Sequence, residues 1–197
     1  MVEHHLPLWI KLLATAFVAV LAPVYARHYG WANFLWFSDI ALFSCVAALW
    51  LESPLLASMM TVGVLLLESA WIVDFAWRLL IGRGLLGLTD YMFESKNPRF
   101  IRGLSLFHVA MPFLLLWMVS RLGYDRRAWL AQTLLTWGVL LITYLITRPD
   151  DNINWAFGLG SKPQHRLPPP VYLVFLMLAL PSVVYWPTHL LLTRLFS

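Results

Sequence analysis

The chain has 197 residues, of which 60% are hydrophobic and 12% charged, whereas a soluble domain carries about 25% charged residues. That disfavours a soluble fold, and unbroken apolar runs such as residues 173–180 exclude a transmembrane β-barrel, whose strands alternate apolar and polar positions. The net charge of +4 comes from basic residues that sit mostly in loops, where membrane topology accounts for them without a nucleic-acid partner.

A bilayer-spanning helix needs roughly 20 mostly apolar residues, so six spans would use about 120 residues and match the apolar content. The expected fold is all-α: a polytopic membrane protein with six transmembrane helices in one bundle, forming a single domain over residues 1–197. The amino terminus carries Glu3, His4 and His5 in place of a basic region, and no A-x-A cleavage site follows the first apolar run. That run therefore reads as a retained helix.

In chain order, the first helix is expected over residues 7–25, with Pro7 suited to a first turn and Gly30 beyond its end. The second follows over residues 31–51, and the turn at Glu52, Ser53 and Pro54 leads to the third over residues 55–81. Residues 82–100 hold three glycines, a proline and scattered charge, while Leu85, Leu88 and Met92 share one helical face. This stretch reads as an interfacial amphipathic segment. The fourth helix is expected over residues 101–120 with a kink near Pro112, and the fifth over residues 128–147. A polar loop at 148–170 then precedes the sixth, over residues 171–192. Nine basic residues fall on the loop side opposite the termini and five on the terminal side. The positive-inside rule places the nine-residue face in the cytoplasm.

Ionisable residues within a bilayer usually face a bundle interior or a wet cavity, and here they gather on one half. Ser38 and His108 each lie six or seven residues in from the nine-residue face, roughly 10 Å deep at 1.5 Å per residue. Asp39, Asp74 and Arg78 fall on the same half, Asn152, Asn154 and Trp155 lie in the loop above, and Glu68 lies near mid-membrane. The opposite half has Thr61, Gln132, Thr133 and His189 but no comparable acids. A polar cavity open to one side follows.

Each of these residues has a structural alternative. Asp74 and Arg78, spaced i,i+4, suit a helical ion pair, and Glu68 suits a protonated interior carboxyl. Asp39 gains from the positive end of its helix dipole. Trp71 and Trp77 either line the cavity or pack. An imidazole titrates near neutral pH and exchanges protons there, and a serine becomes nucleophilic when a histidine accepts its proton. The six histidines show no H-x-x-x-H spacing, so no metal or haem site is expected.

Three short patches resemble known families. Residues 34–39, Phe-Leu-Trp-Phe-Ser-Asp, look like the aromatic-rich nucleophile segment of the androgen-induced-protein family of intramembrane threonine hydrolases, with Ser38 at the threonine position. Residues 107–112, Phe-His-Val-Ala-Met-Pro, resemble that family's histidine-to-proline segment. Asn152 to Phe157, followed by Lys162-Pro163, is similar to a loop of the bacterial YwaF-like membrane proteins. The resemblance implies a lipid-ester hydrolase in a bacterial inner membrane.

The leading expectation is a membrane-embedded lipid hydrolase or acyltransferase, with Ser38 as nucleophile and His108 as general base. Asp39 or Asp74 would orient His108, and Asn152 or Asn154 would supply oxyanion or head-group contacts. The substrate would be a lipid or fatty-acyl compound entering sideways, with no cofactor required and residues 82–100 as a gate. The alternative is a transporter or proton-coupled binding protein using Glu68, Asp74, Arg78 and His108 as a relay.

Overall fold

The computed structural model describes residues 6–160 and 162–196; the reading at Glu3, His4 and His5 lies outside the described residues. Every regular element among them is helical. In chain order these are α1 Leu8–His28, α2 Phe37–Leu51, α3 Pro54–Ile81, α4 Arg99–Leu104, α5 Phe107–Leu122, α6 Ala128–Ile146, α7 Pro169–Ala179 and α8 Trp186–Phe196. Taking α4 with α5 and α7 with α8, five helical segments are long and apolar enough to cross a membrane, and α2 is a shorter apolar helix. The chain is a polytopic helical membrane bundle.

Side-chain bonds fix the direction of each helix. On one side Lys11 Nζ meets Glu52 Oε1 at 2.7 Å, tying the start of α1 to the end of α2. On the same side Asp125 N donates to Ser58 Oγ at 3.0 Å, and Tyr124 Oη meets His189 Nδ1 at 2.7 Å. On the other side Tyr25 Oη meets Ser105 Oγ at 2.6 Å, and Phe37 N donates to Asn154 Oδ1 at 2.9 Å. The helices therefore alternate in direction, and the start of α1 and the end of α8 share one face.

The centre of the bundle is α3. Ser53 caps its first turn, accepting from Leu56 N at 3.3 Å, Pro54 occupies the first helical position, and Gly82 ends it in the left-handed region at φ 78°. Its 28 residues rise about 42 Å, longer than a hydrocarbon core of about 30 Å. The last turns therefore project toward the loop face. By contrast α1 fully buries only Leu21 and Tyr25 among its described side chains and turns the rest of its apolar surface outward.

Several boundaries differ from the sequence expectation. Residues 31–35 form a tight 3₁₀ turn and Trp36 is extended, so the second helix starts at Phe37 instead of Trp31. No continuous helix forms over residues 82–98, where only Asp90–Met92 makes a single 3₁₀ turn. The Asp74 carboxylate takes the amides of Leu85, Leu86 and Thr89, which removes them from any helical ladder, and Gly82 and Gly87 adopt positive φ. Leu85 is exposed, Leu88 half-buried and Met92 buried, so no shared apolar face survives.

The fourth span breaks at Ser105 and Leu106, not at Pro112. There the amides of Leu106, His108 and Val109 reach back three residues instead of four, the tight turn typical of a local break. Pro112 stays within α5, but its missing N–H leaves the His108 carbonyl without its usual donor. The last span is helical through a wide π segment, Leu180–Tyr185, that contains Pro181. Proline there frees the carbonyl of Met177, and Trp137 Nε1 donates to that carbonyl at 2.8 Å.

Candidate functional site

Glu68 of α3 and His108 of α5 meet inside the bundle. Glu68 Oε2 lies 2.8 Å from His108 Nδ1, with side-chain exposures of 5% and 14%. The sequence puts Glu68 deeper than His108. They reach one level because α3 overruns the loop face while α4 and the break at Ser105 carry the chain inward before α5 begins. The imidazole is held between Phe107, at 4.1 Å between ring centroids, and Trp71, at 4.7 Å. Trp71 thus packs on the site, whereas Trp77 is 43% exposed and turned away from the bundle interior.

The third ionisable group is Asp39, in the first turn of α2 and 3% exposed. Asn33 Nδ2 donates to Oδ2 at 2.9 Å, and Oδ1 has no hydrogen-bond partner. Asp39 is within electrostatic reach of both His108 and Glu68. It is therefore Asp39 that α2 turns toward the pair. One residue along a helix rotates about 100° around the axis, so Ser38 is turned off that side. Ser38 is half-buried, and its hydroxyl has no hydrogen-bond partner among the described residues. His108 Nδ1 is bonded to Glu68, not to Ser38.

Asp74 and Arg78 do not pair with each other. Asp74 is fully buried, and its two oxygens accept four hydrogen bonds, from the amides of Leu85, Leu86 and Thr89 and from the Thr89 hydroxyl, at 2.6 to 2.9 Å. Arg78 instead pairs with Asp90 and lies 4.6 Å from the centroid of Phe93. Folding back of the loop gives each residue a better partner than the other: Asp74 obtains fixed amide donors, and Arg78 obtains an acid at the exposed edge. Both shape residues 82–93 and stand apart from the Glu68–His108 pair.

The expected oxyanion donors are also committed elsewhere. Asn152 sits at φ 39° and donates to Gly158 O at 2.8 Å and Gly160 O at 2.9 Å, while its Oδ1 accepts from Phe157 N at 3.0 Å. Asn154, at φ 53°, accepts from Phe37 N at 2.9 Å and donates to Leu35 O at 2.6 Å. It supplies the cap that Trp36 lacks at the start of α2, and so sets the position of Asp39 two residues on. Trp155 follows at φ 57°, half-buried. Asn152 and the Trp155 backbone hold the loop together, and Asn154 anchors α2.

Four residues absent from the sequence expectation complete the neighbourhood. Tyr25 of α1 and Tyr29, the residue just past its end, pack edge to face at 5.2 Å, and both are within electrostatic reach of Asp39. Ser105 bonds Tyr25, and Tyr91 lies beside Ser105, Tyr25, Tyr29 and Trp71. The i,i+4 spacing of Tyr25 and Tyr29 puts both phenols on one face of α1, a signal the sequence carries. Tyr91 has no such signal, because its position depends on how the loop folds.

The site therefore contains two buried carboxylates, one imidazole and a shell of phenols and indole. Such an arrangement can pass a proton between carboxylate and imidazole. Comparison with protein-family models, curated proteins and solved structures finds no match to this chain.

Proposed function

We propose that this chain is a proton-coupled membrane binding or transport protein in which Glu68 and His108 exchange a proton. The observation that carries the reading is the 2.8 Å contact between Glu68 Oε2 and His108 Nδ1 in the bundle interior. A proton shared at that contact gives either an ion pair or a neutral pair. Asp39 adds a second buried carboxyl within electrostatic reach, so protonation of the pair alters the field in which any bound solute sits. Asp74 and Arg78 take no part in this relay.

The test is proton movement in sealed liposomes containing the purified protein and a trapped pH-sensitive dye. Under an imposed pH gradient the wild type moves protons. Glu68→Gln and His108→Gln each reduce the rate by about two powers of ten, the loss expected for a positioned proton-transfer group. Rates equal to wild type in both folded variants would overturn the proposal.

A lipid hydrolase or acyltransferase remains a second reading, favoured by one observation. A carboxylate on Nδ1 leaves Nε2 free to take a proton from a nucleophile, as in serine triads. That reading needs Ser38 to turn toward His108. The YwaF-like patches favour placement in a bacterial inner membrane, with a lipid or fatty-acyl substrate. Labelling of Ser38 by a fluorophosphonate, blocked by His108→Ala, would establish the hydrolase and displace the relay.

A further inference from the structure

A groove of about 340 Å³ lies where α3 arrives at the loop face and α4 leaves it. Phe75 and Leu79 of α3, Phe93 of the loop and Leu106 at the helix break form its apolar wall, and α4 contributes Arg99, Arg102 and Gly103. Leu79 is 60% and Leu106 44% exposed, and both belong to segments long and apolar enough to cross a membrane. The groove therefore opens toward lipid. Gly103 is helical, and a Cβ there would meet nothing within 4 Å, so this glycine leaves the wall hollow. From Arg99 the chain runs inward to Leu106, and from Leu79 one turn of α3 leads inward to Phe75. Charge thus sits at the outer end of the groove and the apolar wall reaches deeper.

The two arginines lack acids. Arg102 Nη1 donates to Met92 O at 3.0 Å, but its Nε is buried and has no hydrogen-bond partner among the described residues. Buried donors are nearly always paired, and the Nε edge of a guanidinium is one of those that meet a phosphate with two parallel N–H bonds. Arg99 is exposed and forms no hydrogen bond or ion pair among the described residues. The nearby loop acids are engaged, Asp90 by Arg78 and Glu94 by Lys96 at 2.8 Å. A neutral apolar occupant would leave both cations unanswered, and a free anion would leave the apolar wall bare. An occupant that satisfies both ends is amphipathic and negative at its outer end. This face also carries nine basic residues against five on the other, and basic residues beside a membrane draw anionic headgroups.

We propose that this groove seats an anionic phospholipid of the leaflet on the loop face, with its phosphate on Arg99 and Arg102 and the upper part of one acyl chain along Leu79, Phe75 and Leu106, over Gly103. The volume admits that part of the lipid, and the remainder stays in the bilayer. Because its walls come from α3, the loop and α4, the lipid fastens residues 92–93 to the bundle edge. The seat is separate from the Glu68–His108 pair: Phe75 stands between them, stacked at 5.1 Å on Trp71, which in turn stacks on His108 at 4.7 Å. It does not depend on the proton-exchange reading.

The probe is radiolabelled dioleoyl phosphatidylglycerol, added in mixed micelles to the full-length protein in a neutral detergent. The wild type binds it saturably, and phosphatidylcholine with the same chains, whose headgroup carries a balancing cation, competes about tenfold less well. Inorganic phosphate at millimolar concentration does not displace it. Arg102→Gln weakens binding about tenfold, the size of a lost hydrogen bond to a charged partner, and Arg99→Gln about fivefold, as expected for one arginine at an anionic membrane surface. Gly103→Trp keeps both charges but fills the groove, and weakens binding at least as much as Arg99→Gln. Arg121→Gln, at the far end of α5, leaves it unchanged. Absence of saturable binding, equal competition by phosphatidylcholine, or an equal loss in Arg121→Gln overturns the seat. Displacement by inorganic phosphate as readily as by lipid does so too, because it leaves a free-anion site alone. Unchanged affinity in folded Arg102→Gln and Gly103→Trp also overturns it; if Arg102→Gln does not fold without its bond to Met92, unchanged affinity in Arg99→Gln and Gly103→Trp decides in the same way.

Discussion

Two buried aspartates, one turned toward the loop face and one toward the bundle interior, are treated in opposite ways. Asp74 accepts four hydrogen bonds from Leu85, Leu86 and Thr89 and is saturated. Asp39 accepts one, from Asn33, and leaves Oδ1 unpartnered. Burial alone therefore does not distinguish the two carboxylates; the tally of donors does. A carboxylate with its lone pairs filled holds a fold in one conformation, whereas one with an open oxygen beside a Glu–His pair is free to meet a proton or a solute.

The sharpest way to break this contrast is to remove both acids. Asp74→Ala strands the buried amide and hydroxyl of Thr89, each costing about 1–3 kcal/mol, and frees the part-buried amides of Leu85 and Leu86, so a loss of about 4 kcal/mol is expected in detergent unfolding. Asp39→Asn changes stability by less than about 1 kcal/mol, because a single accepted bond is weakened while an under-paired buried acid gives way to a neutral amide of the same shape. Equal losses in the two variants would erase the distinction.

The loop scaffold that positions α2 sharpens the same comparison at smaller scale. A Cβ at Gly158 would lie 2.4 Å from Gln164 N and 2.8 Å from Lys162 O, both backbone atoms that cannot swing aside. Gly158→Ala is expected to cost about 2 kcal/mol in the same assay, as overpacking generally does. Asn154→Ala removes its bonds to Leu35 and Phe37 and loses a cap worth about 1–2 kcal/mol. It should also lower proton flux, because α2 carries Asp39. The smallest effect is expected at Ser38: Ser38→Ala shifts stability by less than about 0.5 kcal/mol and leaves flux in liposomes unchanged. A folded Ser38→Ala protein without activity would return the serine to the centre of the mechanism.

Much of the bundle is legible in the sequence, since apolar length, Pro54 at a helix start and Gly82 at a helix end act locally. The gathering of acids on one half is legible for the same reason, because alternating spans assign every residue to a half by counting. What is not legible is which acid meets which partner. The i,i+4 spacing of Asp74 and Arg78 is a sound local rule, yet a loop folding back across the end of α3 offers Asp74 three amides and Arg78 an acid. Depth is misjudged for a related reason: the break at Ser105 lets His108 descend to Glu68. Asn152 and Asn154 read as free polar groups until the loop's left-handed residues show that it folds around them. Ser38 and Asp39 are equally deep in the sequence, and only the roll of α2, set by Asn154 at its first turn, decides which faces the pair.

The most direct test is infrared difference spectroscopy of the protein in membranes as pH is moved across neutrality. Proton exchange predicts a carboxyl band that appears and disappears together with an imidazole signal, that is abolished by Glu68→Gln, and that is altered by His108→Gln. A Glu68–His108 contact that serves only to hold α3 against α5 would give no carboxyl band change removed by Glu68→Gln over that range, and that result would contradict the account.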